Sequence, residues 1–227
     1  MTSPDSHEDQ VFQYYEQLAP TYDENRFENT YGHYIHLLEK KVLEDWLEGM
    51  ADLDLGCGTG RLMPFARAGL DISPAMLAEA RRKWPQKAFH QANAWEIPLA
   101  DQSLEQVFCF HVVMHLEIEH LQKILTEVHR TLKSGGQFIF DIPALPRRKL
   151  LGYQARNWHG AFSMDIPSLK SLTKDQWQWE GYRGLLWMPI HRFPPAMRKT
   201  LRRADQAFGK GPLKKWASYY AIKLRKA

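Results

Sequence analysis

The chain has 227 residues, of which 44 % are apolar, and a net charge of +4, which suits one domain with a hydrophobic core, alone or with a small cap. No apolar run is long enough to span a bilayer, and the polar, acidic start MTSPDSHEDQ lacks the pattern of a signal peptide. Two cysteines, Cys57 and Cys109, are too few for a disulfide framework or a cysteine-rich zinc site. We therefore expect a cytoplasmic protein with no transmembrane segment and no metal site.

Charge is divided unevenly along the chain. Residues 1–141 carry a balance of −10, and residues 142–227 carry +14. A basic C-terminal third can attract an anionic substrate, an acidic membrane surface or nucleic acid, or it can be a solvated surface that keeps the protein soluble. Nucleic acid is the less favoured partner because no nucleic-acid motif or aromatic-interleaved basic helix appears.

The N-terminal segment favours helices. A short helix is predicted over residues 8–18, followed by a loop over 18–23. Residues 31–48 repeat apolar side chains at helical spacing, and Gly49 is a suitable stop. We interpret residues 1–48 as an N-terminal helical lid.

Strands alternate with helices from Ala51 onward. The predicted strands are 51–55, 69–72, 88–91, 104–110 and 137–142, and the predicted helices are 61–67, 74–82 and 116–132. Ser73 followed by Pro74 is a favoured helix start. This alternation predicts a parallel sheet with helices on both faces, which binds ligands at the carboxyl ends of its strands.

The C-terminal third is harder to interpret. Residues 143–179 look irregular, and later segments predict a strand over 184–190, a helix over 196–208 and a final strand over 218–224. We expect residues 143–227 to complete the sheet and to form a basic cap over the substrate. Its many aromatic residues pack the cap or line an aromatic or lipid-like substrate pocket: Tyr153, Trp158, Trp177, Trp179, Tyr182 and Trp187.

The most informative stretch is the glycine-rich turn Asp54-Leu55-Gly56-Cys57-Gly58-Thr59-Gly60. Glycines let a ligand lie against the backbone, and amides at a helix start can meet a polar ligand. A dinucleotide fingerprint would need glycine at Arg61, and the Gly-Lys-Ser/Thr ending of a P-loop is missing. Asp71, after the second predicted strand, can accept ribose hydroxyls. The pattern predicts a ligand that has a ribose and a cation but no phosphate.

At this point residues 12–142 resemble the class I S-adenosylmethionine (SAM) dependent methyltransferases. The resemblance rests on five segments in the expected order: the glycine-rich turn, Gly69–Leu77, Asn93–Leu99, Ser103–Leu116 and Glu127–Gly136. It implies a Rossmann-like, doubly wound, seven-stranded, mostly parallel sheet with helices on both faces, an antiparallel last strand and a small cap. It also implies SAM as cofactor and S-adenosylhomocysteine as product.

The resemblance assigns roles to individual residues. The methionine part of SAM would lie against Asp54, Gly56, Cys57, Gly58 and Gly60, and Tyr22 belongs to an aromatic segment that closes over the cofactor. The ribose would be held by Asp71, with Ile72 and Met76 beside it, the adenine would meet Asn93 and Ala94, and Cys109 to His111 would lie near the reacting methyl group.

Three positions depart from the family pattern, and one of them, Ser134 where the family often has Pro, is expected to be neutral. Asp71 follows Asp54 more closely along the chain than the pattern has it, so the intervening helix or strand must be shortened. Asn93 stands where the family often has Asp, and its carbonyl oxygen can still accept a hydrogen bond from the adenine amine.

Histidines offer the clearest candidates for proton transfer. His111 is either a general base or a structural residue, and for His115 a hydrogen bond within its helix start is preferred. Since SAM carries an activated leaving group, alignment supplies most of the catalysis. We predict methyl transfer to a small molecule, anionic or membrane-associated; the alternatives are an RNA or protein methyltransferase and a non-catalytic SAM-binding subunit.

Overall fold

The computed structural model describes residues 7–153 and 162–227. Seven strands in these ranges form one sheet in the order β3-β2-β1-β4-β5-β7-β6. β7 pairs antiparallel with both neighbours, and every other pairing is parallel. The strands are β1 (Ala51–Leu55), β2 (Ala66–Asp71), β3 (Ala88–Gln91), β4 (Leu104–Cys109), β5 (Leu132–Pro143), β6 (Trp177–Leu185) and β7 (Tyr219–Lys226). The predicted fold class is therefore confirmed.

Helices cover the sheet and its carboxyl edge. They are α1 (His7–Leu18), α2 (Tyr22–Arg26), α3 (Thr30–Trp46), α4 (Pro74–Lys83), α5 (Ile118–Thr131), α6 (Leu145–Leu150), α7 (Ile166–Thr173) and α8 (Arg198–Lys210). Side-chain caps fix three of the described helix starts. Asn29 accepts from the N–H groups of Tyr31 and Gly32 before α3, Ser73 accepts from that of Met76 in α4, and Asp165 accepts from that of Ser168 in α7. The Ser73–Pro74 start is as predicted.

Two apolar layers hold these helices to the sheet. Along β4, Val107 and Cys109 belong to the layer under α5, whereas Phe108 belongs to the layer under α3. This alternation follows from the two-residue period of a strand. Each fully buried side chain of this size stabilises the fold by about 1.5–3 kcal/mol, so the sheet forms a rigid base for its carboxyl edge.

The predicted helix over 61–67 is wrong. Met63–Phe65 forms one 3₁₀ turn, and β2 already begins at Ala66. Parallel pairing of β2 with β1, from Ala66 opposite Ala51 onward, overrides local helix propensity here. The shortened connection explains the close spacing of Asp54 and Asp71 in the sequence, because both aspartates still reach the same edge.

The C-terminal prediction also needs correction. The described part of residues 143–179 contains α6, α7 and the start of β6, and β6 spans Trp177–Leu185 instead of 184–190. A register shift between Trp179 and Gly181 breaks the alternation that identifies a strand. Trp158, one of the predicted cap residues, lies outside the described residues.

In the described ranges, no helix has both the length and the apolar character that crossing a membrane requires. Cys57 and Cys109 are both buried and unpaired with each other. Within the same ranges, His, Cys, Asp and Glu side chains form no group of three or more that could hold a metal ion.

Candidate functional site

The glycine-rich turn takes a backbone that favours glycine. Gly56, Gly58 and Gly60 have φ of 77°, 52° and 81°, in the left-handed region that side chains disfavour. A Cβ on Gly56 would overlap a methyl group of Val112, whereas a Cβ on Gly58 would meet nothing within 4 Å. The loop at Gly58 therefore faces open space.

That open space belongs to a cavity at the carboxyl edge of β1, β2 and β4. Its walls are mostly apolar, and none of the described residues that line it is Lys or Arg. They include Tyr15, Tyr22, Gly56, Gly58, Asp71, Ile72, Met76, Asn93, Ala94, Trp95, His111 and His115. We call this the nucleoside cavity, because a ligand with phosphates would lack a cationic partner there.

Asp71 supplies the strongest acceptor in the nucleoside cavity. Its Oδ2 accepts from the Gly58 N–H at 2.8 Å, and its Oδ1 accepts from the Ser73 N–H at 3.0 Å. Removal from water raises the pKa of Asp71 against the stabilising effect of these N–H groups. A carboxylate has about four acceptor positions, so both oxygens keep capacity for hydroxyl donors.

A second, smaller cavity adjoins the first and shares with it Tyr22, Gly56, Gly58 and His111. Asp54, Cys57 and Arg61 also line it, and we call it the polar cavity. Asp54 is 3 % exposed. Burial and the nearby Asp71 carboxylate raise the pKa of Asp54 to about 8, although Arg61 opposes the shift. A ligand cation placed there would find an acidic partner.

Eleven of the thirteen predicted site residues line the nucleoside cavity, the polar cavity or both. Asp54 and Cys57 line the polar cavity only. Gly60 and Cys109 line neither cavity. The Gly60 carbonyl accepts from the Trp84 indole at 2.9 Å, so this residue shapes the turn. Cys109 points into the layer under α5 and is fully buried, because it falls on the inward-facing side of β4.

His111 is the centre of a buried charged chain. Its Nε2 is hydrogen-bonded to Glu39 Oε1, and the other Glu39 oxygen lies 2.7 Å from an Arg61 nitrogen. The backbone N–H of His111 donates to Asp141 Oδ1 at 2.7 Å, while the ring nitrogen Nδ1 of His111 lies 3.9 Å from Asp141 Oδ2. We name Arg61, Glu39, His111 and Asp141 the histidine cluster.

Sequence reasoning missed three members of the histidine cluster. Glu39 lies within the periodic pattern of α3, Asp141 within an apolar strand, and Arg61 beside the glycines. The available signal was a charged residue in an apolar register: Glu39 and Asp141 are only 1 % and 3 % exposed, and acids are seldom that buried without a partner.

The N-terminal helices α1 and α2 are hydrogen-bonded to residues beside the candidate site. Glu16 of α1 accepts from Ser73 Oγ at 2.6 Å and from the Ala75 N–H. Asp23 of α2 accepts from Thr59 Oγ1 at 2.6 Å and pairs with Lys83. Tyr15 is hydrogen-bonded to His115 Nε2 at 2.7 Å. These bonds fasten α1 and α2 to the edge that carries the glycine-rich turn.

Comparisons with known proteins agree with this geometry. A family model described as a methyltransferase domain matches residues 53–140. A demethylmenaquinone methyltransferase of Chlorobaculum parvum is 35 % identical over 153 residues, which are 60 % of this chain and 61 % of that protein. A 2-phytyl-1,4-naphtoquinone methyltransferase of Thermosynechococcus vestitus is 32 % identical over 138 residues, 54 % of this chain and 60 % of that protein.

The chain thus spans about three fifths of these curated relatives. The fold extends further. A crystal structure of a SAM-dependent methyltransferase, possible histamine N-methyltransferase, from Thermotoga maritima superposes with a TM-score of 0.70 at 18 % identity, covering 96 % of this chain and all of that one. The family match and the relatives show that residues 53–140 form a methyltransferase domain, and the strand order and superposition show the fold of the class I SAM-dependent methyltransferases.

Proposed function

We propose that this protein transfers a methyl group from SAM to a small-molecule acceptor. The observation that carries the proposal is the nucleoside cavity, where the Asp71 carboxylate and the open face of Gly58 meet. Acid, glycine backbone and apolar walls suit a cationic nucleoside without phosphate.

The donor set on the cavity walls fits SAM. Asp71 would accept the ribose hydroxyls, and Asp54 in the polar cavity would meet the ammonium group directly or through water. Apolar Ile72 and Met76 flank the place where an adenine ring would meet Asn93 and Ala94. Gly56, Cys57 and Gly58 would leave room for the amino-acid part.

When bound, SAM supplies a methyl group on a positively charged sulfur, which keeps the electron pair of the broken carbon–sulfur bond. The chain's own task is to align the acceptor and to exclude water. Alignment alone can lower a barrier by about 7–11 kcal/mol. We infer that residues 1–48 act as a lid, since Glu16 and Asp23 fasten it over residues 49–142, and that residues 143–227 complete the sheet and cover the acceptor.

For the acceptor we propose a small molecule that is anionic or membrane-associated. The two relatives described above are named as methyltransferases of quinones, so reduced demethylmenaquinone is a suitable first probe. The protein contains no described helix that crosses a membrane, and we propose that it works in the cytoplasm and meets any membrane-dissolved acceptor at the surface.

A basic groove between α3 and α8 supports an anionic acceptor. Arg198, Lys199 and Arg202 line it, with Glu28 as the acid among its described lining residues. The Nε of Arg198 is buried and has no hydrogen-bond partner among the described residues. Phe27 lines the groove and its ring lies 6.2 Å from that of His111, so the groove opens close to the histidine cluster.

Calorimetric titration with SAM tests the cofactor assignment. Asp71→Asn should weaken SAM binding about 10- to 100-fold, since a hydrogen bond to a charged group contributes about 1.5–3 kcal/mol. Asp101→Asn is the control, because Asp101 is an exposed acid paired with Arg130. Absence of SAM binding to the unaltered protein would refute the proposal.

Incubation of cell extract with isotopically labelled SAM then identifies the acceptor class. Label in a small-molecule fraction supports the proposal. Label in RNA or protein would instead favour a macromolecular methyltransferase, which the basic third of the chain would serve. SAM binding without transfer to any fraction would favour a non-catalytic subunit.

A further inference from the structure

We propose that Glu39 and Arg61 position and tune His111 so that its Nδ1 removes a proton from the methyl acceptor. The inference rests on the proposed function and narrows it to an acceptor with a hydroxyl group, such as a hydroquinone, whose O–H proton is the one removed. Nothing in the sequence connects Glu39 with His111, because 72 residues separate them.

The hydrogen bond to Glu39 decides which imidazole nitrogen of His111 can accept a proton. Arg61 and His111 hold the pKa of Glu39 at about 2, even though burial acts in the opposite direction. The carboxylate is thus ionised at neutral pH and accepts a hydrogen bond from Nε2–H of His111. In neutral His111 this leaves the proton on Nε2 and the lone pair on Nδ1.

The other imidazole nitrogen, Nδ1 of His111, faces the carboxylate of Asp141. At 3.9 Å, Nδ1 and Asp141 Oδ2 are too far apart for a direct hydrogen bond. One atom can nevertheless lie about 2.8 Å from both, which is the usual hydrogen-bond distance. His111 lines the nucleoside cavity and the polar cavity, and with Asp141 it lines a third small cavity. An acceptor atom can therefore approach the His111 imidazole from the cavities that this residue lines.

Hydrogen bonds hold His111 in an uncommon backbone conformation. Its backbone has φ of 62°, which is uncommon for a residue other than glycine and costs about 1 kcal/mol or more. Asp141 accepts from its N–H at 2.7 Å, and Glu39 fixes the ring. Strain retained by two buried carboxylates is the arrangement expected where a side chain must point in one direction.

The proton balance is simple. The acceptor's O–H bond breaks and its proton moves to Nδ1. The freed electron pair, on oxygen or delocalised to the adjacent ring carbon of a hydroquinone, forms the bond to the methyl carbon, whose bond to sulfur breaks with the electron pair kept by sulfur. A ring carbon that gains the methyl group then gives up its hydrogen as a proton to the ring oxygen. The resulting imidazolium is stabilised by Glu39, and the proton passes to water before the next turnover. Glu39 touches no reacting atom, so it is a positioning residue.

Charge around His111 sets its pH range. Burial lowers the pKa of His111, but the carboxylates of Glu39 and Asp141 outweigh burial and Arg61, and the net shift is upward. Tyr219 of β7 and Phe27 present rings about 6.2 Å from the imidazole ring. His111 therefore becomes a base only as the pH rises past its raised pKa.

The experiment is an NMR titration of imidazole-labelled protein with no cofactor, in which His111→Gln identifies the signal. We expect a midpoint above 6.5 in the unaltered protein. Glu39→Gln should lower the midpoint, and Arg61→Gln should raise it, because one variant removes an anion and the other a cation. Glu44→Gln, which removes an exposed acid of α3 paired with Lys40, should leave it unchanged.

The pH profile of kcat with reduced demethylmenaquinone supplies the second readout. Its midpoint should move down in Glu39→Gln and up in Arg61→Gln, and kcat at the plateau should fall at least about 10-fold in Glu39→Gln, with partial recovery in Glu39→Asp. Equal effects of both variants at every pH, or an NMR midpoint that does not move, would show a merely structural pair and overturn the inference. Failure of the unaltered protein to bind SAM in calorimetry would overturn the proposed function instead.

Discussion

Gly58→Ala separates cofactor binding from folding at one position. Gly58 has φ of 52°, and a Cβ there would meet no protein atom within 4 Å. The methyl group would project into the space shared by the nucleoside and polar cavities. If SAM lies against this backbone, the added methyl group must collide with it.

The magnitudes for folding and binding differ. Left-handed backbone costs a residue with a Cβ about 1–2 kcal/mol, which lowers the Tm of a chain of this size by about 2–8 °C. Forcing a methyl group into a filled contact costs about 1–3 kcal/mol, so SAM affinity should fall about 5- to 150-fold. The two losses are measured independently, by thermal unfolding without ligand and by calorimetry with SAM.

Gly49→Ala is the matched control. Gly49 has φ of 94° and equally open surroundings, but it lies before β1 and lines neither cavity. We expect a similar fall in Tm with unchanged SAM affinity. If Gly58→Ala also binds SAM normally, the cofactor does not lie along the glycine-rich turn and the site assignment is wrong.

Three further outcomes follow from buried contacts. Since the pKa of Asp54 is about 8, SAM binding at pH 7 should release a proton from Asp54, seen as a binding enthalpy that depends on the ionisation enthalpy of the buffer; Asp54→Asn should reduce that dependence. Glu16→Ala removes the acceptor for Ser73 and Ala75, and stopped-flow fluorescence should show SAM leaving about 10-fold faster; an unchanged rate would contradict the role of α1 as a lid. Asp205→Ala leaves the hydroxyl of Tyr34 and two backbone N–H groups without their acceptor, which should cost about 3 kcal/mol or more; a Tm loss below about 3 °C would contradict this.

The part of the candidate site around the glycine-rich turn was predictable because its residues are local in sequence. Gly56, Gly58 and Asp71 lie close together along the chain, and each has a property that its residue type dictates: positive φ for the glycines and hydrogen-bond acceptance for the acid. The alternation of strands and helices then placed both segments at one edge of the sheet. The predicted helix between β1 and β2 is only one 3₁₀ turn, but both strands still end at the same edge of the sheet.

The histidine cluster was not predictable in this way. Glu39, His111 and Asp141 come from α3, the end of β4 and β5, and only the packing of α3 against the sheet brings them together. Sequence periodicity assigns the positions of Glu39 and Asp141 to the buried side, where a carboxylate looks like an exception. The β6 boundary failed for a related reason, because the register shift near Gly181 depends on pairing with β7.

The charges near the two cavities influence the protonation of the histidine cluster. Asp54, Asp71, Glu39 and Asp141 are acids near the cavities, whereas Arg61 is the permanently charged cation of the histidine cluster. Burial and mutual repulsion raise the pKa of Asp54, Asp71 and Asp141, so a ligand that carries positive charge is favoured over a neutral nucleoside of the same shape. The same excess of acid raises the pKa of His111. A bound cation would oppose that shift, so cofactor binding should itself favour the basic form of His111 at neutral pH, and the acceptor would lose its proton only when the methyl donor is in place.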